Sequence, residues 1–83
     1  MKILYFAEIK EIIGKSEEII FIQNDKSINQ LILELKSKNI AYKKAFESTK
    51  NLKCAVNSIY AESFDNIIKN TDEIAFFPPV TGG

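Results

Sequence analysis

The last two residues of the sequence, Gly82 and Gly83, are the ones whose type and position could do chemistry. Glycine has no Cβ, so a binding wall can approach its backbone closely and the chain can thread a narrow channel. A terminal carboxylate beside a CH2 group is unhindered, and adenylation by ATP on a partner enzyme would make it an acyl-adenylate that a persulfide or thiol could attack. The predicted reactive atom is therefore the C-terminal carbonyl carbon of Gly83. Glycines also occur in inert chain ends, so this interpretation depends on the residues that precede them.

A stiff segment, Pro78-Pro79, comes shortly before the glycines and directly after Phe77. Proline favours extended backbone both at its own position and at the residue before it, and it has no backbone donor. At roughly 3.1–3.5 Å per residue, six residues can carry a carboxylate about 20 Å from a folded domain. We predict a folded domain over residues 1–77 and an extended tail over residues 78–83 that reaches into another protein's pocket.

Several kinds of catalytic and metal site are excluded by composition. The sequence has no histidine, and Cys54 is its only cysteine. An internal disulfide, a Cys/His zinc site and a Ser–His or Cys–His catalytic pair are therefore impossible. We expect no metal and no bound cofactor, and we interpret Cys54 as a buried core thiol.

The charge balance also restricts the partners. Eleven lysines match eleven acidic residues, and arginine is absent. Proteins that bind DNA or RNA usually present a basic stripe and use arginine forks, so we expect no nucleic-acid partner. No apolar run is long enough for a membrane span or a signal-peptide core, which predicts a cytoplasmic protein with no membrane partner.

The periodicity of apolar residues predicts the elements that must hold the tail. The clearest signal is a capping box, Ser27 with Gln30, followed by apolar residues at helical spacing that end near residues 37–39. A short helical segment at 8–14 ends at Gly14, which is placed as a left-handed C-cap. A further short helix without a strong cap is predicted at 41–48, and 64–70 is predicted as a connecting turn. Predicted strands cover residues 2–7, 17–23, 52–57, 59–61 and 72–77.

This order of elements is typical of an α+β fold, a β-grasp (ubiquitin-like) roll with a mixed sheet and one main helix. The first and last strands should be adjacent and parallel. Phe76, in phase with Ile74, should face the core. Phe77, with Leu4 or Phe6, should then form an exposed apolar patch near the root of the tail, which we interpret as a docking surface.

Three segments carry a resemblance to a known family. They are DEIAFFPPVTGG (72–83), LYFAEIKEIIG (4–14) and LKCAVNSIYA (52–61). Together they make the chain resemble, from end to end, the small subunit of molybdopterin synthase, a β-grasp sulfur carrier of molybdenum cofactor biosynthesis. The aromatic-Pro-Pro-x-x-Gly-Gly run is the most specific element. Lys10 stands where many relatives carry an arginine, which keeps the charge but loses the fork geometry.

The resemblance implies a donor subunit whose catalytic groups lie on a partner. An adenylyltransferase of the ubiquitin-activating type would consume ATP to activate Gly83, and sulfur would replace oxygen to give a 1-thioglycine thiocarboxylate. The thiocarboxylate would deliver sulfur to cyclic pyranopterin monophosphate, so that two deliveries build the molybdopterin dithiolene. The large subunit would supply the catalytic lysine within a heterotetramer of two small and two large subunits. The implied partner-binding residues are Pro78, Pro79, Val80, Thr81 and Gly82 in the tail, and Phe6 and Phe77 in the docking patch.

Three other interpretations remain open at this point. The sulfur carrier of thiamine synthesis shares the fold and the terminal Gly-Gly but usually lacks the Phe-Phe-Pro-Pro-Val run. A ubiquitin-like modifier would conjugate Gly83 to target lysines. A binding module with an inert tail would do neither.

Overall fold

The structure, a computed structural model, describes residues 1–79. The predicted tail residues Val80, Thr81, Gly82 and Gly83 lie outside the described residues. The elements in chain order are β1 (Lys2–Tyr5), α1 (Ala7–Ile13), β2 (Glu17–Ile19), β3 (Lys26–Ser27), α2 (Ile28–Lys38), α3 (Ile40–Ser48), β4 (Lys53–Val56), β5 (Ile59–Tyr60), β6 (Ile67–Ile68) and β7 (Glu73–Phe77).

The main sheet has five strands in the order β2-β1-β7-β4-β5. Strands β1 and β7 pair in parallel, and the other neighbours pair antiparallel. The predicted mixed sheet, with its first and last strands adjacent and parallel, is therefore confirmed. It is the sheet of an α+β β-grasp fold, and its inner face is covered by helices.

The inner face of the sheet and one stripe of α2 form the core. Ile3 and Tyr5 of β1 alternate with outward residues, and Ile74 and Phe76 of β7 do the same. The apolar stripe predicted for the main helix is buried as expected, and its members are Ile28, Leu31, Ile32 and Leu35. The capping box at the start of α2 is also present, because the Ser27 side chain accepts from the Gln30 backbone N–H and the Gln30 side chain accepts from that of Ser27. These local signals were sufficient because period and cap are properties of consecutive residues.

Helix α3 is better anchored than the sequence indicates. Its N-cap is Asn39, whose side-chain oxygen accepts a hydrogen bond of 2.8 Å from the Ala41 backbone nitrogen. Asparagine is a favourable N-cap, so the prediction that this helix lacks a strong cap is wrong. Helix α3 packs on both α1 and α2 and extends the helical layer.

Several strand predictions differ from the structure. Strand β1 ends at Tyr5 rather than at residue 7, because Ala7 already begins α1. Strands β4, β5 and β7 are each one or two residues shorter than predicted. Strand β2 ends at Ile19 rather than at residue 23. The segment 64–70, predicted as a turn, contains β6, which pairs with β3 in a separate two-stranded sheet. A two-residue strand has no periodicity to recognise, so only pairing across the fold reveals it.

The edge of the core at β2 is closed by a polar cluster around Glu18. The hydroxyls of Tyr5 and Tyr42 each donate a hydrogen bond of 2.6 Å to Oε2 of Glu18, and Lys15 Nζ lies 3.5 Å from Oε1. Burial alone would raise the pKa of the Glu18 carboxyl, but the two hydroxyls and Lys15 outweigh burial and lower the pKa below its ordinary value. The carboxylate therefore ties β2 to β1 and α3.

Replacement of Glu18 by glutamine should lower the free energy of unfolding at neutral pH by about 1.5–3 kcal/mol, because charged hydrogen bonds are replaced by neutral ones. The folded-state pKa of Glu18 is lowered, so its stabilisation is fully present above the unfolded-state pKa and is lost as the pH falls through the folded-state pKa. The difference between the wild-type protein and Glu18→Gln should shrink over that acid range. Urea unfolding of both proteins at a series of pH values from 7 downwards measures this difference in the free energy of unfolding.

The matched control is Glu17→Gln, since Glu17 makes only an exposed ion pair of 3.4 Å with Lys2. Its effect should stay below about 1 kcal/mol. Equal losses in the two variants would contradict the assigned role of the Glu18 cluster.

Candidate functional site

The candidate site lies on the outer face of the sheet, where β1 and β7 end side by side. Tyr5 is the register partner of Phe76, and the next backbone nitrogen, that of Phe6, donates to the Phe76 carbonyl over 3.2 Å. The parallel pairing therefore brings Phe6 and Phe77 to the same end of the sheet. This is also the point from which Pro78 and Pro79 leave β7.

The two consecutive phenylalanines of β7 face opposite sides. Phe76 is 0% exposed and packs on the rings of Tyr5 and Phe46 in the core. Phe77 is half-buried on the outer face, and Phe6 is 46% exposed. The predicted core position of Phe76 is confirmed. Phe6 and Phe77 lie together on the outer face, and their role in docking stays a prediction.

Tyr60 is a site residue that the sequence reasoning missed. It belongs to the β4–β5 hairpin, whose turn residues Asn57 and Ser58 both have positive φ, 51° and 68°, as a tight hairpin turn requires. The hairpin sets Tyr60 on the outer face with its ring centroid 5.6 Å from that of Phe77, and Tyr60 is 73% exposed. The available signal was the short gap at Asn57-Ser58 between two strand-like runs, since two residues are the length of a tight hairpin loop.

These residues form an open groove of about 530 Å³, which we call the tail groove. It is lined by Phe6, Tyr60, Ala75, Phe77 and the two prolines, Pro78 and Pro79. Large exposed aromatic side chains around a shallow apolar depression are typical of protein–protein contacts rather than of small-molecule sites. The tail groove is therefore suited to docking a protein at the root of the tail.

Ala7 also lines the tail groove, and its backbone conformation is strained. Its φ is 52°, in the left-handed region, and it follows an extended Phe6 that serves as the N-cap of α1 without a side-chain hydrogen bond. This conformation costs a non-glycine residue about 1–2 kcal/mol. It turns the chain sharply from β1 into α1 and leaves the Phe6 side chain on the outer surface.

Cys54 lies behind the site but in the core. It is 2% exposed, and burial raises the pKa of its thiol to about 12. A thiol with this pKa is almost entirely protonated at neutral pH, so it is a poor nucleophile. The predicted buried thiol is confirmed.

Lys10 is exposed in the last turn of α1. Its carbonyl accepts the backbone N–H of Gly14, whose φ of 88° gives the predicted left-handed C-cap. Among residues 1–79, no group of His, Cys, Asp and Glu side chains could hold a metal ion. No helix in that same part of the chain is long and apolar enough to cross a membrane.

The chain is similar to known proteins over nearly its whole length. Residues 3–83 match the ThiS family. The chain is 34% identical to the molybdopterin synthase sulfur carrier subunit of Escherichia coli, covering 100% of this chain and 99% of that protein. It is 39% identical to the subunit of the same name in Dictyostelium discoideum, covering 99% and 94%.

Solved structures give the same fold. A putative molybdopterin converting factor subunit 1 from Pyrococcus furiosus superposes with a TM-score of 0.78 at 30% identity, over 95% of each chain. Two more distant structures show the fold alone. Small archaeal modifier protein 1 of Haloferax volcanii has a TM-score of 0.76 at 24% identity, and the match covers 100% of this chain and 98% of that one. A complex of subunits 1 and 2 of the molybdopterin-converting factor of Helicobacter pylori has a TM-score of 0.66 at 23% identity, covering 99% and 96%.

The sheet order, the helical layer and the apolar groove at the root of the tail define a small ubiquitin-like β-grasp protein. The chain belongs to the ThiS family, and the resemblance to the small subunits of molybdopterin synthase is confirmed by its full-length relatives.

Proposed function

We propose that this chain is the sulfur carrier subunit of a molybdopterin synthase and that the carboxylate of Gly83 carries the sulfur. The observation that supports the proposal most strongly is the full-length similarity to sulfur carrier subunits of that enzyme, with a family match that extends to Gly83. The tail groove supports it independently, because it gives a partner protein a surface to hold beside Pro78 and Pro79.

The chemistry begins with activation on a partner. An adenylyltransferase of the ubiquitin-activating type joins the Gly83 carboxylate to AMP and releases pyrophosphate from ATP. The terminal sulfur of a persulfide then attacks the acyl carbon and AMP leaves, which gives an acyl disulfide. A second thiol breaks the S–S bond and releases the thiocarboxylate together with a disulfide.

Donation takes place on a second partner, the synthase large subunit. That subunit would dock on Phe6, Tyr60 and Phe77 and receive the tail residues Val80, Thr81 and Gly82 in a channel. Each thiocarboxylate sulfur forms a C–S bond with cyclic pyranopterin monophosphate in place of a C–O bond, and water then hydrolyses the acyl C–S bond, which leaves the sulfur on the substrate and returns Gly83 to a carboxylate. Two deliveries are needed for one dithiolene. In this scheme the chain binds no metal or cofactor of its own and acts as a subunit of a heterotetramer with two copies of each chain.

The activation step is tested by intact mass spectrometry. The protein is incubated with ATP, a sulfur donor and the activating enzyme, and its mass should rise by the difference between sulfur and oxygen, localised to Gly83. Cys54→Ala is the matched control, since Cys54 is the only other place for a covalent sulfur. The same shift should occur in this variant, because the Cys54 thiol is buried and protonated.

An unchanged Gly83 under conditions in which the activating enzyme works on a known carrier would contradict the proposal. A mass increase that disappears in Cys54→Ala would show that the sulfur is attached to Cys54 instead. Affinity capture from cell extract then separates the two sulfur-carrier pathways: we expect the molybdopterin synthase large subunit, whereas a thiazole synthase would indicate thiamine synthesis. Gly83 found in isopeptide bonds to lysines would indicate a protein modifier.

A further inference from the structure

The neutral net charge of the chain hides a strong separation of charge along the sequence. Residues 36–53 contain six of the eleven lysines and only one acidic residue, Glu47. The rest of the chain therefore has five lysines against ten acidic residues. The 18 residues of this segment therefore carry a net charge of +5, and the other 65 residues carry a net charge of −5.

Most of the basic segment, the end of α2 and helix α3, lies together in the helical layer. The segment comprises the end of α2, the whole of α3 and the entry into β4, and α3 packs directly on α2. The one acidic residue is already paired, since Glu47 lies 3.6 Å from Lys36 Nζ. The remaining lysines are exposed, and within residues 1–79 none lies within 4.0 Å of a carboxylate oxygen. We call these five the lysine surface: Lys38, Lys43, Lys44, Lys50 and Lys53.

Helix stability explains only part of this arrangement. Lys36 and Lys38 lie in the last turn of α2, where positive charge interacts favourably with the helix dipole. Lys43 and Lys44 have no such role, because α3 carries no basic residue in its last turn. Lysines that stabilise neither a helix end nor an ion pair are available for another protein.

One member of the lysine surface, Lys53, lies beside the tail groove. Lys53 is the register partner of Phe77 and lines a recess of about 500 Å³ together with Tyr60, Glu62 and Phe77. A partner that covers the tail groove would therefore also approach Lys53. Helix α3 lies on the other side of the sheet but near the same end, because its Phe46 meets Phe76 edge-on at 5.1 Å.

We propose that the lysine surface binds an acidic surface on the large subunit that receives the tail, and that it steers and orients the chain as the two proteins meet. The inference rests on the proposed function. Lysine suits this role because it is a flexible point charge whose field acts over a Debye length of about 8–10 Å at physiological salt. Nucleic acid is disfavoured as the occupant, because arginine is absent and the two aromatic residues of α3, Tyr42 and Phe46, are buried and cannot stack on bases.

The test measures the association rate constant for the purified large subunit by stopped-flow fluorescence between about 20 and 300 mM NaCl. The variant Lys43→Gln/Lys44→Gln should associate at least about fivefold more slowly at low salt and converge on the wild-type rate at high salt. The control Lys2→Gln/Lys69→Gln removes the same charge outside the lysine surface and should stay within about twofold of wild type.

Equal salt-dependent decreases of the association rate constant in both double variants would overturn the proposal, since only the net charge of the chain would then matter. Unchanged rates in both would overturn it as well. RNA binding is the third outcome that would overturn the proposal. In that case the wild-type chain binds a mixed-sequence RNA oligonucleotide, Lys43→Gln/Lys44→Gln does not, and the association rate with the large subunit is the same for both. A wild-type chain that fails to bind the large subunit at any salt would instead contradict the proposed function, and the steering proposal with it.

Discussion

A chain that ends at Gly82 is expected to transfer no measurable sulfur to cyclic pyranopterin monophosphate, while it still folds and still binds the large subunit. Deletion of Gly83 moves the terminal carbonyl back by one residue, about 3.5 Å. A displacement of only 1 Å from a reactive geometry can reduce a rate about 100-fold, so the loss should exceed 100-fold. Product formation by the reconstituted synthase, measured over a range of chain concentrations, gives this rate.

Docking and donation can be separated in the same experiment. The core and the tail groove are formed by residues 1–79, so the truncated chain should unfold at the wild-type urea concentration and compete with the wild-type chain for the large subunit. The full-length variant Lys69→Gln, prepared in parallel, should transfer sulfur normally. Synthesis of molybdopterin by the truncated chain at the wild-type rate would show that the Gly83 carbonyl is not the donor.

The second large effect concerns stability, and it should differ sharply between Phe76 and Phe77. Phe76→Ala removes a fully buried ring that stacks on Tyr5 at 6.3 Å and meets Phe46 edge-on at 5.1 Å. Loss of such a ring costs about 3–5 kcal/mol. A domain of this size has a total stability of roughly 4–12 kcal/mol, so the variant should be close to unfolding at 37 °C. Urea denaturation monitored by circular dichroism measures the loss.

Phe77→Ala is the matched variant one residue along the same strand. Its ring is half-buried on the outer face beside Tyr60, so its removal should cost about 1–2 kcal/mol of stability. It should instead weaken binding to the large subunit at least about tenfold, as expected for an aromatic anchor in an interface. Equal destabilisation by the two substitutions, or wild-type affinity in Phe77→Ala, would contradict the assignment of the two rings to opposite faces.

The contrast between the two rings shows how much of the site could be predicted from sequence. Their opposite orientation follows from the period of two in a β-strand, and Ile74 fixes which parity is buried. Tyr60 could not be predicted in the same way, because its position depends on the turn at Asn57–Ser58 and on the pairing of β4 with β7. The cap of α3 was missed for a simpler reason: Asn39 directly follows α2, and one residue ends one helix and begins the next.

The sequence by itself determined the apolar periodicity of the strands and the capped main helix, because each is a property of neighbouring residues. It also predicted a reactive Gly83. Only the tertiary structure decided that Phe6 rather than Leu4 joins Phe77, and that Tyr60 completes the groove with them. It also decided that Lys53 lies beside that groove, through its register with Phe77. The register between β4 and β7 depends on hydrogen bonds between distant segments and on which sheet face is buried, so it is settled only when these strands meet.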